Sequence, residues 1–179
     1  MGLGPLRDLG PCEVWYGSTP AKIGPTFGDV VFTFKTATRA IKEDEKGISP
    51  VDKITMGIET CQVKVPFTRL TLGKLADVVP GAKFTQGTST PPAPDIMAVS
   101  SEVGTSSADN GKELILKPIV AGVVSTDSGE WLHLLNAYPS DADMEITYNT
   151  EGQRVYTVNF DGFPEATTGV YWRIGPKAS

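Results

Sequence analysis

Side chains able to do acid–base, nucleophilic or metal chemistry are few and scattered in this chain. His133 is the only histidine. It stands in Trp131-Leu132-His133-Leu134-Leu135, an apolar strand pattern. A general base needs a nucleophile and an orienting partner, and the sequence offers neither, so His133 reads as a half-buried structural residue. There is no GxSxG elbow and no HExxH pair. One histidine and two cysteines without a CxxC spacing do not make a transition-metal site. Gly104-Thr105-Ser106-Ser107-Ala108-Asp109-Asn110-Gly111-Lys112 loosely resembles a phosphate loop. Its glycine spacing is wrong and Glu113 replaces the Ser or Thr that would hold Mg²⁺, so it reads as a flexible turn. Asp141-Ala142-Asp143 and Glu145 could offer oxygens to Ca²⁺. They lack the glycine and distal glutamate of an EF-hand loop, and an acidic turn between strands is the simpler reading. We therefore expect no enzymatic activity and no cofactor or metal.

Cys12 and Cys61 lie far apart in sequence, which fits neither a disulfide scaffold nor a zinc pattern. Cys61 shares the parity of Val63 and Val65, which favours burial. Cys12 lies in a Gly/Pro-rich stretch that could reach a neighbour. A Cys12–Cys61 link, within or between subunits, would close a loop of about 50 residues and add roughly 4 kcal/mol from chain entropy. The competing reading, which we prefer, is two free thiols.

Composition narrows the class. The chain has 179 residues, enough for one domain with a sizeable core. Lys plus Arg number 16 and Asp plus Glu 21, a net charge of −5. With a pI near 4.9, binding nucleic acid by phosphate neutralisation is excluded. A 40% hydrophobic share excludes wholesale disorder. No apolar run approaches the roughly 20 residues of a membrane-spanning helix. Residues 1–7 show no signal-peptide pattern, and Leu6 stands where myristoylation wants Ser or Thr. A chain made and kept in a cytosol is the expectation. Gly at 19 and Pro at 14 suit short strands and turns.

The elements follow from periodicity. Residues 1–28 read as a mostly irregular N-terminal arm with one extended piece, Glu13–Tyr16. Asp29–Thr38 alternates with period two, a strand with one buried face. Val51–Phe67 is a second strand. Cys61, Val63, Val65 and Phe67 form one face, while Ile54, Met56 and Ile58 lie on the opposite parity. That switch predicts a bulge or a change of buried face near Gly57–Thr60. The two strands make a long hairpin with a charged tip over 39–52. Thr68–Val79 changes to helical period, with Leu72, Leu75, Ala76 and Val79 on one face, Thr68 as cap and Pro80-Gly81 as stop. Residues 81–111 form a Thr/Ser/Pro-rich extended loop. Strands return over Glu113–Ala121, Glu130–Ala137, Met144–Tyr148, Arg154–Gly162 and Gly169–Ile174. Met144, Ile146 and Tyr148 share one face, and Tyr156, Val158 and Phe160 another. The expectation is a mainly β fold: one domain over 1–179, a β-sandwich or barrel of about seven or eight strands, with one short α-helix.

The charged tip has two readings, a solvated turn or a contact surface for another subunit. On the second, the candidate contact residues are Arg39, Lys42, Glu43, Asp44, Glu45, Lys46 and Asp52.

From about Gly10 to Gly175 the chain resembles the tail tube proteins (major tail proteins) of tailed bacteriophages. The phrases are Val14-Trp15-Tyr16-Gly17, Gly24-Pro25-Thr26-Phe27-Gly28-Asp29-Val30, and the long hairpin with Gly47-Ile48-Ser49-Pro50-Val51-Asp52 after its tip. Val63-Lys64-Val65-Pro66-Phe67 then leads into the helix. Val155-Tyr156-Thr157-Val158-Asn159-Phe160 and Tyr171-Trp172-Arg173-Ile174-Gly175 finish the chain. The length and composition of the stretch after the helix depart from that family. The resemblance implies a structural virion protein, assembled in the host cytoplasm, that stacks as hexameric rings into a tail tube. Such a tube has a strand-lined lumen through which DNA passes without specific binding, and a hairpin loop that reaches a neighbouring ring. It implies contacts with sheath, tape measure, baseplate and tail terminator proteins, and none with a membrane. The alternatives are the tube of a bacterial contractile injection or secretion system, a tail completion protein, or a β-barrel that binds a small ligand and stays monomeric.

Overall fold

The structure, a computed structural model, describes residues 11–42, 50–88, 93–101, 103–140, 144–148 and 154–176. Along the chain run β1 (Cys12–Gly17), β2 (Ala21–Lys22), β3 (Val31–Lys42), β4 (Pro50–Thr68), α1 (Leu72–Val78), β5 (Ala82–Thr85), β6 (Ile96–Val99), β7 (Lys112–Val120), β8 (Val123–Val124), β9 (Leu132–Pro139), β10 (Glu145–Tyr148), β11 (Arg154–Phe163) and β12 (Trp172–Ile174). The fold is mainly β with one short helix. The strand count exceeds the expectation because β2, β5, β6 and β8 span only 2 to 4 residues, too few for a period to register.

The main sheet has the order β2-β1-β7-β9-β11-β4-β3. Its two ends meet through the residues between β2 and β3. Ile23 N–H donates to Val14 O of β1 at 3.1 Å, whereas Phe27 N–H donates to Pro66 O of β4 and Thr68 N–H to Pro25 O, both at 2.9 Å. The last two bonds pair Thr26 with Phe67 as an antiparallel bridge. The sheet is therefore closed into a barrel, and closure removes most of its free edges. Residues 12–28 are staves and seam rather than the irregular arm expected from their glycines and prolines. What packs them is the alternation of buried Val14 and Tyr16 with outward Glu13 and Trp15.

Two staves are interrupted. β9 and β10 lie end to end beside β11, pairing Pro139 with Phe160 and Glu145 with Thr157. β11 and β12 likewise share the flank of β9, pairing Phe163 with Asn136 and Trp172 with Leu134.

The interior is filled by Val14, Tyr16, Val63, Val65, Phe67, Leu114, Leu116, Leu134, Ala137, Val158 and Phe160. The Tyr16 and Phe160 rings meet at 5.1 Å, and the Tyr16 hydroxyl donates to Ala137 O at 3.3 Å. Leu134 and Ala137 differ in parity yet both are buried, because the β7–β9 register shifts between Lys112 and Leu114. An extra residue in one strand turns its side chains to the other face.

The helix is shorter than its period predicts. Thr68 is the last residue of β4, and Arg69 turns the chain with φ 53°. The cap is Thr71, whose Oγ1 accepts from Lys74 N–H at 3.4 Å. Leu75 and Val78 are the buried residues, while Leu72 is 40% exposed. After it, the stretch expected to be an extended loop carries two strands. β5 and β6 pair as a separate two-stranded sheet, with Phe84 lying against Gly73 of α1.

Leu75→Asp places an unpaired carboxylate in the core. Its urea midpoint should fall by an amount equal to several kcal/mol; a wild-type midpoint would refute the helix packing. At Gly162 an added Cβ would stand 2.7 Å from Cys61 Sγ and 3.2 Å from Leu134 Cδ2. Gly162→Ala should cost about 1–3 kcal/mol, and Cys61→Ala in the same chain should recover part of it, measured as a double-mutant cycle.

Candidate assembly interface

β3 and β4 pair from Val31 opposite Lys64 to Lys42 opposite Pro50. β11 borders β4 only from Gln62 to Thr68. From Phe34, opposite Cys61, outward the two strands therefore lack a further neighbour and form a ribbon. Its nine residues on β3 at ~3.3 Å each carry it roughly 30 Å beyond the barrel. The root of this arm is anchored: Trp172 of β12 meets Phe32 at 5.4 Å and Phe34 at 5.5 Å, both edge-on.

The arm's registry shifts between Lys35 and Thr36, Ala37 and Thr38, and Ile41 and Lys42. Glu59, Met56 and Val51 are the extra residues on β4. The first shift falls within the stretch where the parity change predicts a bulge. Gly57, between two of the shifts, has φ 145°, a value that favours glycine. Because of the Met56 shift, Ile58 and Ile54 end on opposite faces despite their equal parity. Arg39 pairs with Ile54 and Ile41 with Asp52, so these four side chains share one face.

Nothing among the described residues covers that ribbon. Ile41 is 37% exposed, Ile54 51% and Met56 63%. Their alternation predicts a buried face, but an alternation shows only that a face is apolar, not that the same chain covers it. Lys35 and Glu59 pair across the arm at 2.8 Å. Of the contact residues proposed from sequence, Arg39 and Asp52 lie on the strands and not in a tip, because β3 continues to Lys42 and β4 begins at Pro50. Glu43, Asp44, Glu45 and Lys46 lie outside the described residues.

A second unpartnered feature lies at the other end of β4. There β10 borders the Arg154–Thr157 end of β11, while the root of the arm lies near Asp161. All four β10 residues are exposed, Ile146 at 44% and Tyr148 at 69%. Ile146 faces Tyr156 across the ladder and so continues the inward-facing set beyond the mouth of the barrel. The sequence reading puts Ile146 and Tyr148 on one face, and that face is open. Arg154 lies 5.1 Å from the Tyr148 ring.

The chemistry-bearing residues are dispersed. His133 is buried, not half-buried, with Nδ1 2.9 Å from Glu113 Oε1. On the same outer face of the barrel, the Lys117 ammonium is held between the Trp15 ring at 3.6 Å and the Trp131 ring at 4.0 Å. Burial lowers the Lys117 pKa, and the Glu13 charge opposes the shift. Burial also disfavours the Glu13 carboxylate. Hydrogen bonds from Lys22 and Trp15, with the charges of Lys22 and Lys117, outweigh that and hold its pKa below the usual range. Among the described residues no three His, Cys, Asp or Glu side chains gather as a metal-holding group. Asp141, Ala142 and Asp143 lie outside the described residues; Glu145 is on β10. The 104–112 stretch makes a turn tied to β9 by Asn136 Nδ2, which donates to Ala108 O at 2.9 Å. A cleft of ≈ 370 Å³ opens between Val79, Val99, Tyr138 and Met144.

Cys12 and Cys61 are free thiols. Cys12 lies on β1 opposite Pro118, not in a reaching arm. The chain matches no protein-family model and no curated protein.

Burial pushes each thiol up to about 11. Burial also raises the Tyr16 hydroxyl above its ordinary value. The folded chain then keeps these protons where the unfolded chain, with thiols at 9.0, releases them. The contribution of these groups should be level below pH 9 and stability should fall from pH 9 toward 11. Urea midpoints across that range check the sign. An Ellman assay at pH 8 should find both thiols slow in the native chain and fast in denaturant.

Proposed function

We propose that this protein is a structural subunit that assembles through its β3–β4 arm into stacked rings forming a tube, as tail tube proteins of tailed bacteriophages do. The observation that carries the reading is the arm itself. An isolated two-stranded hairpin is marginal in water, yet this one extends roughly 30 Å beyond the barrel with Ile41, Ile54 and Met56 in solvent. Such a ribbon is stabilised when another subunit covers it. The rings would be hexameric and would belong to a virion assembled in the host cytoplasm. Sheath, tape measure, baseplate and tail terminator proteins would be the further partners. A net charge of −5 suits a conduit along which DNA slides without being held. The tube of a contractile injection system would use the same arm. A ligand-binding barrel is disfavoured by the interior, where Tyr16, Phe67 and Phe160 occupy the space a ligand would need.

Negative-stain images of the concentrated protein should show rings or rods. Deleting residues 40–46 should abolish them while leaving the circular dichroism spectrum of a folded barrel. Rods of normal length from the deleted chain would end the assembly role of the arm.

A further inference from the structure

Resting on the assembly reading above, the geometry points to the surface that receives the arm: we propose that the Arg39–Ile41–Ile54 face of one copy seats on the β10 end of a second copy, against Ile146 and Tyr148. The two features lie at opposite ends of β4, the arm over residues 50–61 and the β10–β11 mouth beside Phe67 and Thr68. A contact between unlike patches at opposite ends is heterologous. Each copy that gives an arm still offers a β10 end, so the contact propagates and does not close on two copies.

The chemistry of the two surfaces matches. Ile41 and Ile54 on the arm, and Ile146 and Tyr148 on the mouth, are apolar side chains left in solvent. Asp52, on the arm face beside Ile41, and Arg154, opposite Tyr148 on the receiving face, carry opposite charges. Both surfaces also end in open strand edges. β3 is the terminal strand of its sheet path, and β10 is bonded to β11 alone among the described strands. Strand addition could therefore accompany side-chain contact.

Size sets the stoichiometry. A ribbon of two strands spaced ~4.8 Å and roughly 30 Å long offers on the order of 300 Å² on one face. A stable pair buries about 800 Å² per partner. One arm is thus too small to hold a lone dimer. The contact needs several arms engaged together, which a ring provides.

The test is a cysteine crosslink. Ile54→Cys and Ile146→Cys are both exposed substitutions, and the native thiols, held near 11, stay protonated at pH 8. A disulfide requires Cβ atoms about 4 Å apart, so only direct seating yields one. The double variant, concentrated and oxidised with copper–phenanthroline, should give a ladder of dimers, trimers and higher species on a non-reducing gel. Mixing the two single variants should stop at dimers, and each single variant alone should remain a monomer. Dimers from Ile54→Cys alone would mean arm-to-arm pairing and overturn the inference. Rods without a ladder would also overturn it, while leaving the tube reading standing. Wild-type protein that stays monomeric at every concentration would remove both.

Discussion

β4 belongs to two structures at once, and the rest of the molecule depends on that. Its Cys61–Phe67 half places Cys61, Val63, Val65 and Phe67 in the core, each at most 6% exposed. Its Pro50–Thr60 half pairs only with β3. A strand is continuous and stiff over such a length, so the packed half aims the free half. The arm needs no packing of its own to hold a direction, because the barrel supplies it. Phe32 and Phe34 on Trp172 lock the junction, and aromatic contacts of this edge-on kind add to plain area burial.

The barrel in turn depends on residues 21–28, which cross from β1 to β4. A rolled sheet left open between β1 and β4 would expose two rows of unpaired amides. The seam satisfies part of them with three backbone groups, Ile23 N–H, Pro25 O and Phe27 N–H. Closure then forces a small interior, and side chains fill it. Tyr16 is the one buried phenol in the core, and its hydroxyl reaches Ala137 O instead of water. A buried hydroxyl without that acceptor would cost a few kcal/mol.

Much of this was legible from residue order. The Cys61–Phe67 and Tyr156–Phe160 alternations mark interior staves, and the parity switch near Gly57 marks a bulge. Legibility failed where a local rule met a tertiary one. Thr68 has the type of a helix cap, but Phe67 and Thr68 are still held by β11, which fixes the helix start at Thr71. Residues 1–28 carry so many glycines and prolines that they read as an arm; residues 1–10 lie outside the described residues. The backbone bonds of residues 11–28 to β7, β1 and β4 are long-range, and no local period encodes them. Ile54 and Met56, whose parity switch marks the bulge, are exposed all the same. Hydrophobic alternation reports a face that wants a partner and is silent on which chain supplies it. The outer clamp of Lys117 between Trp15 and Trp131 left no sequence signal, since its members come from β1, β7 and the turn that leads into β9.

The arm also shows how a surface can bind its own kind without aggregating. A long edge strand with isoleucines is a hazard in a free subunit. Here the isoleucines are interleaved with Lys35, Arg39, Asp52, Lys53 and Glu59, all exposed. Three registry shifts twist the ribbon away from the flat geometry that indiscriminate strand pairing needs. Charge and twist together lower the affinity of any single arm for a random edge. A partner that matches the twisted face, and presents several such sites at once, restores the affinity through multiplicity. Weak single contacts and strong collective ones are what an assembly requires if its subunits are to stay dispersed until they meet a growing end.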